Sequence, residues 1–384
     1  MDNFEYHNPV RIVFGKGSIA ELRKLIPANA RILMTYGGGS IKANGVYDQV
    51  RKALKGRRIL EFGGIEPNPR YETLMRAVAL GRGKKIDFLL AVGGGSVLDG
   101  TKFIAAAIPY RKGDPWAIVS EGAAVESAVA LGSVLTLPAT GSEMNTFAVI
   151  SRNSSNEKLA FGSPHCYPRF SVLDPTVTFS LPPRQVKNGV VDAFVHVCEQ
   201  YLTYENHAPL QARLAEAILL TLVEEGPKTI ARPTDYAARA NLMWSATMAL
   251  NGLIGVGVPQ DWATHTIGHE ITALYGLDHA QTLAVVLPGV LASQKARKRG
   301  RLAQCAERVF GVKGGSPARR AEAGIRKIEG FFRSLGVKTR LSEYGIDADR
   351  CAVQVSERLK GRVPLGEHEA LGTKEIAALL RTRA

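Results

Sequence analysis

The chain has 384 residues, with 49 Lys and Arg against 35 Asp and Glu, a formal net charge of +14 and 45% hydrophobic residues. A charged share of 22% with that apolar content excludes a disordered or fibrous chain, and the length exceeds what one core usually fills, so two domains are expected. No apolar run reaches the length of a membrane span, and the polar, acidic opening "MDNFEYHNPV" lacks a signal core, so a cytoplasmic protein without a membrane partner is expected.

In chain order, the first half alternates apolar runs with amphipathic stretches. "RILMTY" (31–36) leads into a glycine turn and then "GVYDQVRKALKG". "FLLAVGGGSVLDGTKFIAAAI" (88–108) reads as strand, glycine turn and helix, and "SVLTLPAT" (133–140) and "FSVLDP" (170–175) read as further strands. Near-continuous apolar strands between helices predict a parallel sheet covered on both faces. The tandem prolines of "SLPPRQ" (180–185) end that pattern, and Pro182 or Pro183 suits the first turn of a helix. From there "VVDAFVHVCEQYLT", "LQARLAEAILLTLVEEG", "RANLMWSATMALNGL", "DWATHTIGHEITALYG", "AQTLAVVLPGVLASQ", "RLAQCAERVFG" and "RRAEAGIRKIEGFFRSLG" keep a helical period, and strand signals nearly vanish. The expected architecture is therefore an α/β Rossmann-like domain over 1–182 and an all-α domain over 183–384. Cys166, Cys198, Cys305 and Cys351 stand far apart with no CxxC, which predicts reduced, mostly buried thiols. The basic runs "RKALKGRR" (51–58) and "QKARKRGR" (294–301) carry no interleaved aromatics and no nucleic-acid motif. They are read as scattered, solvated helix faces, with no specific nucleic-acid partner; a basic nucleic-acid- or surface-binding protein is the rival from another class.

In "VGGGSVLD" the amides of Gly94, Gly95 and Ser96 stand at a helix N-terminus, where an anion is stabilised. The GxGxxG fingerprint is not met, because Leu98 stands where it wants glycine. The second turn, "TYGGGSIK" (35–42), sets Gly37, Gly38, Gly39 and Ser40 after another strand, and two such turns suit a dinucleotide cleft. No carboxylate follows that strand to hold a ribose 2′-hydroxyl, so a 2′-phosphate meets no repulsion, which favours NADP over NAD. The loop "TLPATGSEMNTFAVI" (136–150) adds Thr136, Thr140, Ser142 and Asn145, able to bind phosphate, ribose or the nicotinamide carboxamide. A plain turn with Ser/Thr caps reads the same residues without a ligand.

Three of the eight histidines fall in "DWATHTIGHEITALYGLDHAQT": His265, His269 and His279. Upstream, "NGVVDAFVHVCEQY" sets Asp192 and His196 four apart, on one face of an otherwise apolar helix. A carboxylate and an imidazole in such surroundings are costly unless paired or coordinated. A glycine turn after His265 and a new helix start at His279 would bring both to one point. Asp192, His196, His265 and His279 then offer three nitrogens and one oxygen, a set that suits Fe²⁺ or Zn²⁺ with a position left for substrate. "HEITA" begins like a zincin motif, but Ala273 replaces the second histidine, which argues against a metalloprotease. His269 follows His265 by one turn and is the candidate proton relay or nicotinamide neighbour.

"GGGSVLD", "TLPATGSE", "NGVVDAFVHVCEQY" and "HTIGHEITALYGLDHAQTLAVVLP", in this order, closely resemble the iron-containing (group III) alcohol dehydrogenases. Within them the chain looks like the NADPH-dependent aldehyde reductase and butanol dehydrogenase branch, which the opening "NPVRIVFGKGSI" and "EFGGIEPNPRYETLM" also fit. The resemblance implies a Rossmann-like N-terminal domain, a helical C-terminal domain, a cleft between them, a homodimer, and reduction of small aldehydes with NADPH. It carries the metal-ligand role onto the four residues above and cofactor contacts onto Asp99 and Lys158, besides those of the glycine turns and the polar loop. Many family members read "PHG" at the last ligand. Here "LDHAQ" stands instead, which makes a diol or glycerol dehydrogenase less fitting. A lyase like dehydroquinate synthase is the nearest rival of this architecture. It needs basic, polar substrate clamps, whereas the metal helices here are lined by Val, Ala, Phe, Leu and Ile, with Trp262 nearby.

Overall fold

The computed structural model describes all 384 residues. Six parallel strands frame the first half: β1 (Arg11–Phe14), β2 (Arg31–Tyr36), β3 (Arg58–Phe62), β4 (Phe88–Gly94), β5 (Ala130–Leu137) and β8 (Phe170–Leu173). Their order is β1-β8-β5-β4-β2-β3, and every neighbouring pair runs parallel. A separate antiparallel hairpin joins β6 (Phe147–Arg152) to β7 (Glu157–Gly162).

Alternation along the strands explains why both faces are covered. In β4, Leu89 and Ala91 enter one core cluster, and Phe88, Leu90 and Val92 enter the other. In β2, Leu33 joins the first cluster, and Ile32, Met34 and Tyr36 join the second. Successive side chains of a strand point to opposite faces, so each run is apolar throughout because both of its faces are buried. The helices Tyr71–Gly83 and Gly95–Ala107 supply Leu74, Val78, Leu98 and Phe103 to the first cluster, and Val46–Ala53 supplies Val46 and Val50 to the second. Leu90 is fully buried, which alone contributes about 2 kcal/mol; Leu90→Asp would lose that and bury a charge. Because β5, β4 and β2 are parallel neighbours, the loops that leave their carboxyl ends emerge side by side.

The sequence pattern predicts four of these strands. It passes over β1, β3 and the hairpin, whose burial is mixed residue by residue and gives no clean apolar run. Beyond β8 no strand forms, and helices take over as the period predicts. Pro183 opens the Pro183–Tyr201 helix, in which every residue from Gly189 to Tyr201 is buried. Gly226 lets the Pro209–Ala231 helix come close to Val190: a Cβ there would lie 2.9 Å from Val190 Cγ1. Two further helices, Ala348–Arg358 and Thr373–Arg381, close a core with Ile267, Ile271, Val285 and Val286.

The chain divides into two compact units, but not at a single cut. The α/β unit comprises His7–Leu181 and Pro233–Thr247, and the helical unit Met1–Tyr6, Pro182–Arg232 and Met248–Ala384. Side chains give the reason. Met243 buries against Leu135 and Leu173, and Thr247 Oγ1 donates to Glu143 Oε1 at 2.5 Å, which ties 233–247 to the sheet. At the other end the Asp2 amide donates to the Gly257 carbonyl at 3.0 Å. All four cysteines are free and buried, in line with their spacing. No helix is long and apolar enough to cross a membrane.

Candidate active site

In the α/β unit, β4 runs straight into the Gly95–Ala107 helix, as its sequence predicts. The glycines of this turn answer to the chain's own packing. A Cβ on Gly93 would stand 2.5 Å from Val97 Cγ2, and one on Gly95 would stand 2.6 Å from Thr140. The turn after β2 differs. Gly39 has φ +105°, which a side chain rarely tolerates, whereas a Cβ on Gly38 meets nothing within 4 Å. Gly37 lies between, 3.3 Å from the Ile65 carbonyl by the same measure, and Ser40 opens a short helix, Ser40–Ala43.

The polar residues assigned to cofactor binding are knitted together within the unit. Ser96 Oγ accepts from the Asn68 amide at 3.3 Å, and Lys158 Nζ donates to Asn68 Oδ1 at 2.8 Å. Thr140 Oγ1 accepts from the Ser142 amide at 3.2 Å, and Thr136 is buried near the end of β5. Asp99 Oδ1 accepts from Ser142 Oγ at 2.7 Å and Oδ2 from the Val149 amide at 3.0 Å. A residue the sequence reading passed over organises this group. Lys102, fully buried, donates to Ser142 Oγ (2.8 Å), Asn145 Oδ1 (2.9 Å) and the Phe147 carbonyl (2.8 Å). Burial lowers its ammonium to about 8, opposed by the charge of Asp99, and burial raises the carboxyl of Asp99. A lysine inside the apolar run "TKFIAAAI", three residues after Asp99, is the signal that marks it.

In the helical unit the Ala263–Tyr275 helix ends on Gly276, with φ +70°. The next helix, His279–Ser293, begins on His279, its start fixed by a reciprocal capping box of Asp278 and Gln281. That turn brings the histidines together as their spacing implies. The Nε2 atoms of His196, His265 and His279 lie 3.8, 3.9 and 3.7 Å from Asp192 Oδ1. Donor atoms of Asp192, His265 and His279 all lie within 4.8 Å of one another; His196 stands outside that mutually close set and stacks on His265, ring centroids 4.6 Å apart. The His269 ring is 5.0 Å from that of His279 and 6.2 Å from that of His265.

This donor set fits a divalent ion. A tetrahedral ion with bonds of about 2.0–2.2 Å has ligand-to-ligand edges of about 3.3–3.6 Å. The three edges from Asp192 Oδ1, 3.7–3.9 Å long, stand only a few tenths of an ångström wide of that, while the donors of Asp192, His265 and His279 close to within 4.8 Å of one another and His196 stands farther out. Asp192 is 4% exposed, and its Oδ1 has no hydrogen-bond partner, a costly state that a cation at the centre would relieve. The sequence reading also missed Glu199. Its carboxylate bonds the His265 ring at Nδ1 and accepts from the His265 amide at 3.1 Å. Burial, then the neighbouring charge of Asp261, pushes its carboxyl well above the ordinary range. The signal was available: Asp192, His196 and Glu199 fall at i, i+4 and i+7 of one helix.

A two-unit α/β plus helical chain with an Asp–His cluster defines a class, and comparison with known proteins gives the family. The model of the iron-containing alcohol dehydrogenase family matches residues 9–175, and that of the family's C-terminal region matches 186–384. The chain belongs to this family of enzymes. It is 58% identical to the NADPH-dependent aldehyde reductase YqhD of Escherichia coli K12, over 96% of both chains. A crystal structure of YqhD from E. coli K-12 superposes with a TM-score of 0.98 at 56% identity, covering 100% of this chain and 99% of that one. The crystal structure of NADH-dependent butanol dehydrogenase A from Thermotoga maritima covers 100% and 99% at 36% identity, with a TM-score of 0.95. The α/β and helical architecture expected from the sequence is the architecture of these structures.

Proposed function

We propose that the chain is a metal- and NADPH-dependent aldehyde reductase that converts short-chain aldehydes to alcohols. The observation that carries this reading is the meeting of three imidazole Nε2 atoms around the buried Asp192 Oδ1, in a chain 58% identical to an enzyme named for that reaction. Asp192, His196, His265 and His279 hold the metal. Gly37, Gly38, Gly39 and Ser40, Gly94, Gly95 and Ser96, Asp99, Thr136, Thr140, Ser142, Asn145 and Lys158 form the cofactor site, the first four receiving the 2′-phosphate. The α/β unit is then the dinucleotide-binding domain and the helical unit the metal and substrate domain.

The metal supplies Lewis acidity to the carbonyl, and NADPH supplies the hydride. The residues do the rest. Around a divalent ion, three neutral imidazoles and one carboxylate would leave a net positive charge, which favours the negative oxygen that develops during reduction. His269, beside His265 and His279, moves a proton to the product oxygen. Trp262, whose ring lies 5.5 Å from that of His265, gives the substrate an apolar wall. No side chain serves as a nucleophile. The donor set supports Fe²⁺ and Zn²⁺ alike. The absence of a carboxylate at 37–40 supports NADPH over NADH, which the T. maritima relative uses by name. We read the protein as a cytoplasmic homodimer, on the family resemblance and its four free cysteines.

The test is NADPH oxidation with butyraldehyde by chelator-stripped protein, before and after return of Zn²⁺ or Fe²⁺. Turnover that needs a metal is expected, and the better ion identifies the native one. Folded protein that stays inactive with both ions would overturn the reading.

A further inference from the structure

Glu199 touches no proposed metal position and has no part in the chemistry above, yet it is only 4% exposed and fully engaged. We propose that Glu199 is a positioning residue that sets His265 for metal binding; this rests on the metal reading above.

One carboxylate holds a single residue of another helix twice. Oε1 accepts from the His265 backbone amide at 3.1 Å, and Oε2 bonds the imidazole at Nδ1. Backbone and ring are fixed together, so the ring has little freedom left about its side-chain torsions. With Nδ1 engaged by Glu199, the ring presents its other nitrogen to the Asp192 cluster. Nε2 is the nitrogen that lies 3.9 Å from Asp192 Oδ1. A carboxylate behind a ligating histidine orients the ring and raises its basicity, and loss of such a partner typically costs 10–100-fold in metal affinity.

Glu199 is itself held. The Asp261 amide donates to the Glu199 carbonyl at 2.8 Å, and Asp261 Oδ1 accepts from the Ala263 amide at 2.9 Å. Asp261 Oδ2 is bonded by the buried Lys298 at 2.8 Å, whose ammonium also meets Glu367 at 2.7 Å. Thus the first and third residues of the Ala263–Tyr275 helix are tied by two carboxylates, and the third is His265. Capping alone is met by any acceptor on the amide. The second bond, to Nδ1, sets the ring and with it the direction of Nε2.

The experiment compares native protein, Glu199→Gln and Glu199→Ala, each full length and metal-free. Zn²⁺ affinity is measured by competition with a chromophoric chelator, and Tm is measured without metal. Glu199→Ala should bind Zn²⁺ about 10–100-fold more weakly, and Glu199→Gln, which keeps an oxygen for Nδ1 but no charge, should fall between it and native. If Glu199→Ala does not fold, Glu199→Gln carries the test alone. Variants with a lower metal-free Tm but Zn²⁺ affinity within about threefold of native would show a cap and nothing more, and the proposal would fail. Native protein that binds no Zn²⁺ would overturn the metal reading itself, and this role with it.

Discussion

Two inward-facing aspartates, one in each unit, show how differently the chain treats a carboxylate. Asp99 has both oxygens filled, by Ser142 Oγ and the Val149 amide, and Lys102 lies close enough to lower its carboxyl against the rise from burial. Asp192 has an oxygen with no hydrogen-bond partner and three imidazoles arranged about it. A satisfied network is a brace: it holds the loop after β5 in place whether or not anything is bound. A convergence of donors on an unsatisfied oxygen is strained unless a cation arrives, and the cost is recovered on binding.

Asp192→Ala breaks this contrast most sharply. Turnover should fall at least about 10³-fold with loss of the metal. Metal-free Tm should hold or rise, because a buried oxygen without a hydrogen-bond partner is gone. Asp99→Ala should do the reverse to stability, costing about 2–3 kcal/mol by stripping Lys102 of the charge that most supports its ammonium. Parallel urea melts and Zn²⁺ titrations of the two variants decide the matter. Equal losses of stability would erase the distinction.

The same unit offers a test of charge without shape. Gly38 has room for a side chain and no positive φ, unlike Gly39. Gly38→Asp should therefore fold normally and set a carboxylate against a 2′-phosphate. NADPH should bind about 10–100-fold more weakly, as expected for like charges a few ångströms apart near a surface, while NADH changes little. An unchanged NADPH-to-NADH ratio of kcat/KM would remove the turn after β2 from the phosphate site.

A pH series sharpens the description of Asp99 and Lys102 as a brace. Lys102 has its ammonium lowered to about 8 in the folded chain, against 10.5 ordinarily. Between those values the unfolded chain binds a proton that the folded chain does not, so stability from this group rises with pH; below about 8 its penalty is present in full. The stability of native protein relative to Lys102→Met should increase by about 2 kcal/mol from pH 7.5 to pH 9.5, read by chemical denaturation. A flat difference would mean that Lys102 keeps its proton throughout.

The legible parts of the molecule were those that local pattern determines. Glycine turns after apolar strands marked β2 and β4, and Asp192 and His196 shared a face by counting alone. The join of His265 to His279 was also readable, because Gly276 ends one helix and Asp278 starts the next. Lys102 and Glu199 were harder to see. Each looks like an ordinary charged residue until the fold shows that water is absent around it. The loop residues Ser142 and Asn145 could be listed from composition, but that they face Lys102 is a tertiary fact. The place of 233–247 beside the sheet rests on Met243 and Thr247, which carry no local sign of it.

The smallest expected effect belongs to His269. Its ring neighbours those of His265 and His279, but its donors are absent from the mutually close set around Asp192. On the proposed reading, a group so placed serves the product oxygen without holding the metal, and water can substitute for a proton donor. His269→Ala should therefore lower kcat about tenfold, less than a well-placed general acid usually contributes, and leave Zn²⁺ affinity near native. His265→Ala should lose both turnover and metal. If the two variants fall together in metal affinity, His269 is a ligand, and the four-residue set of Asp192, His196, His265 and His279 has the wrong member. His196 would then be the residue to replace, since it lies outside the same mutually close set.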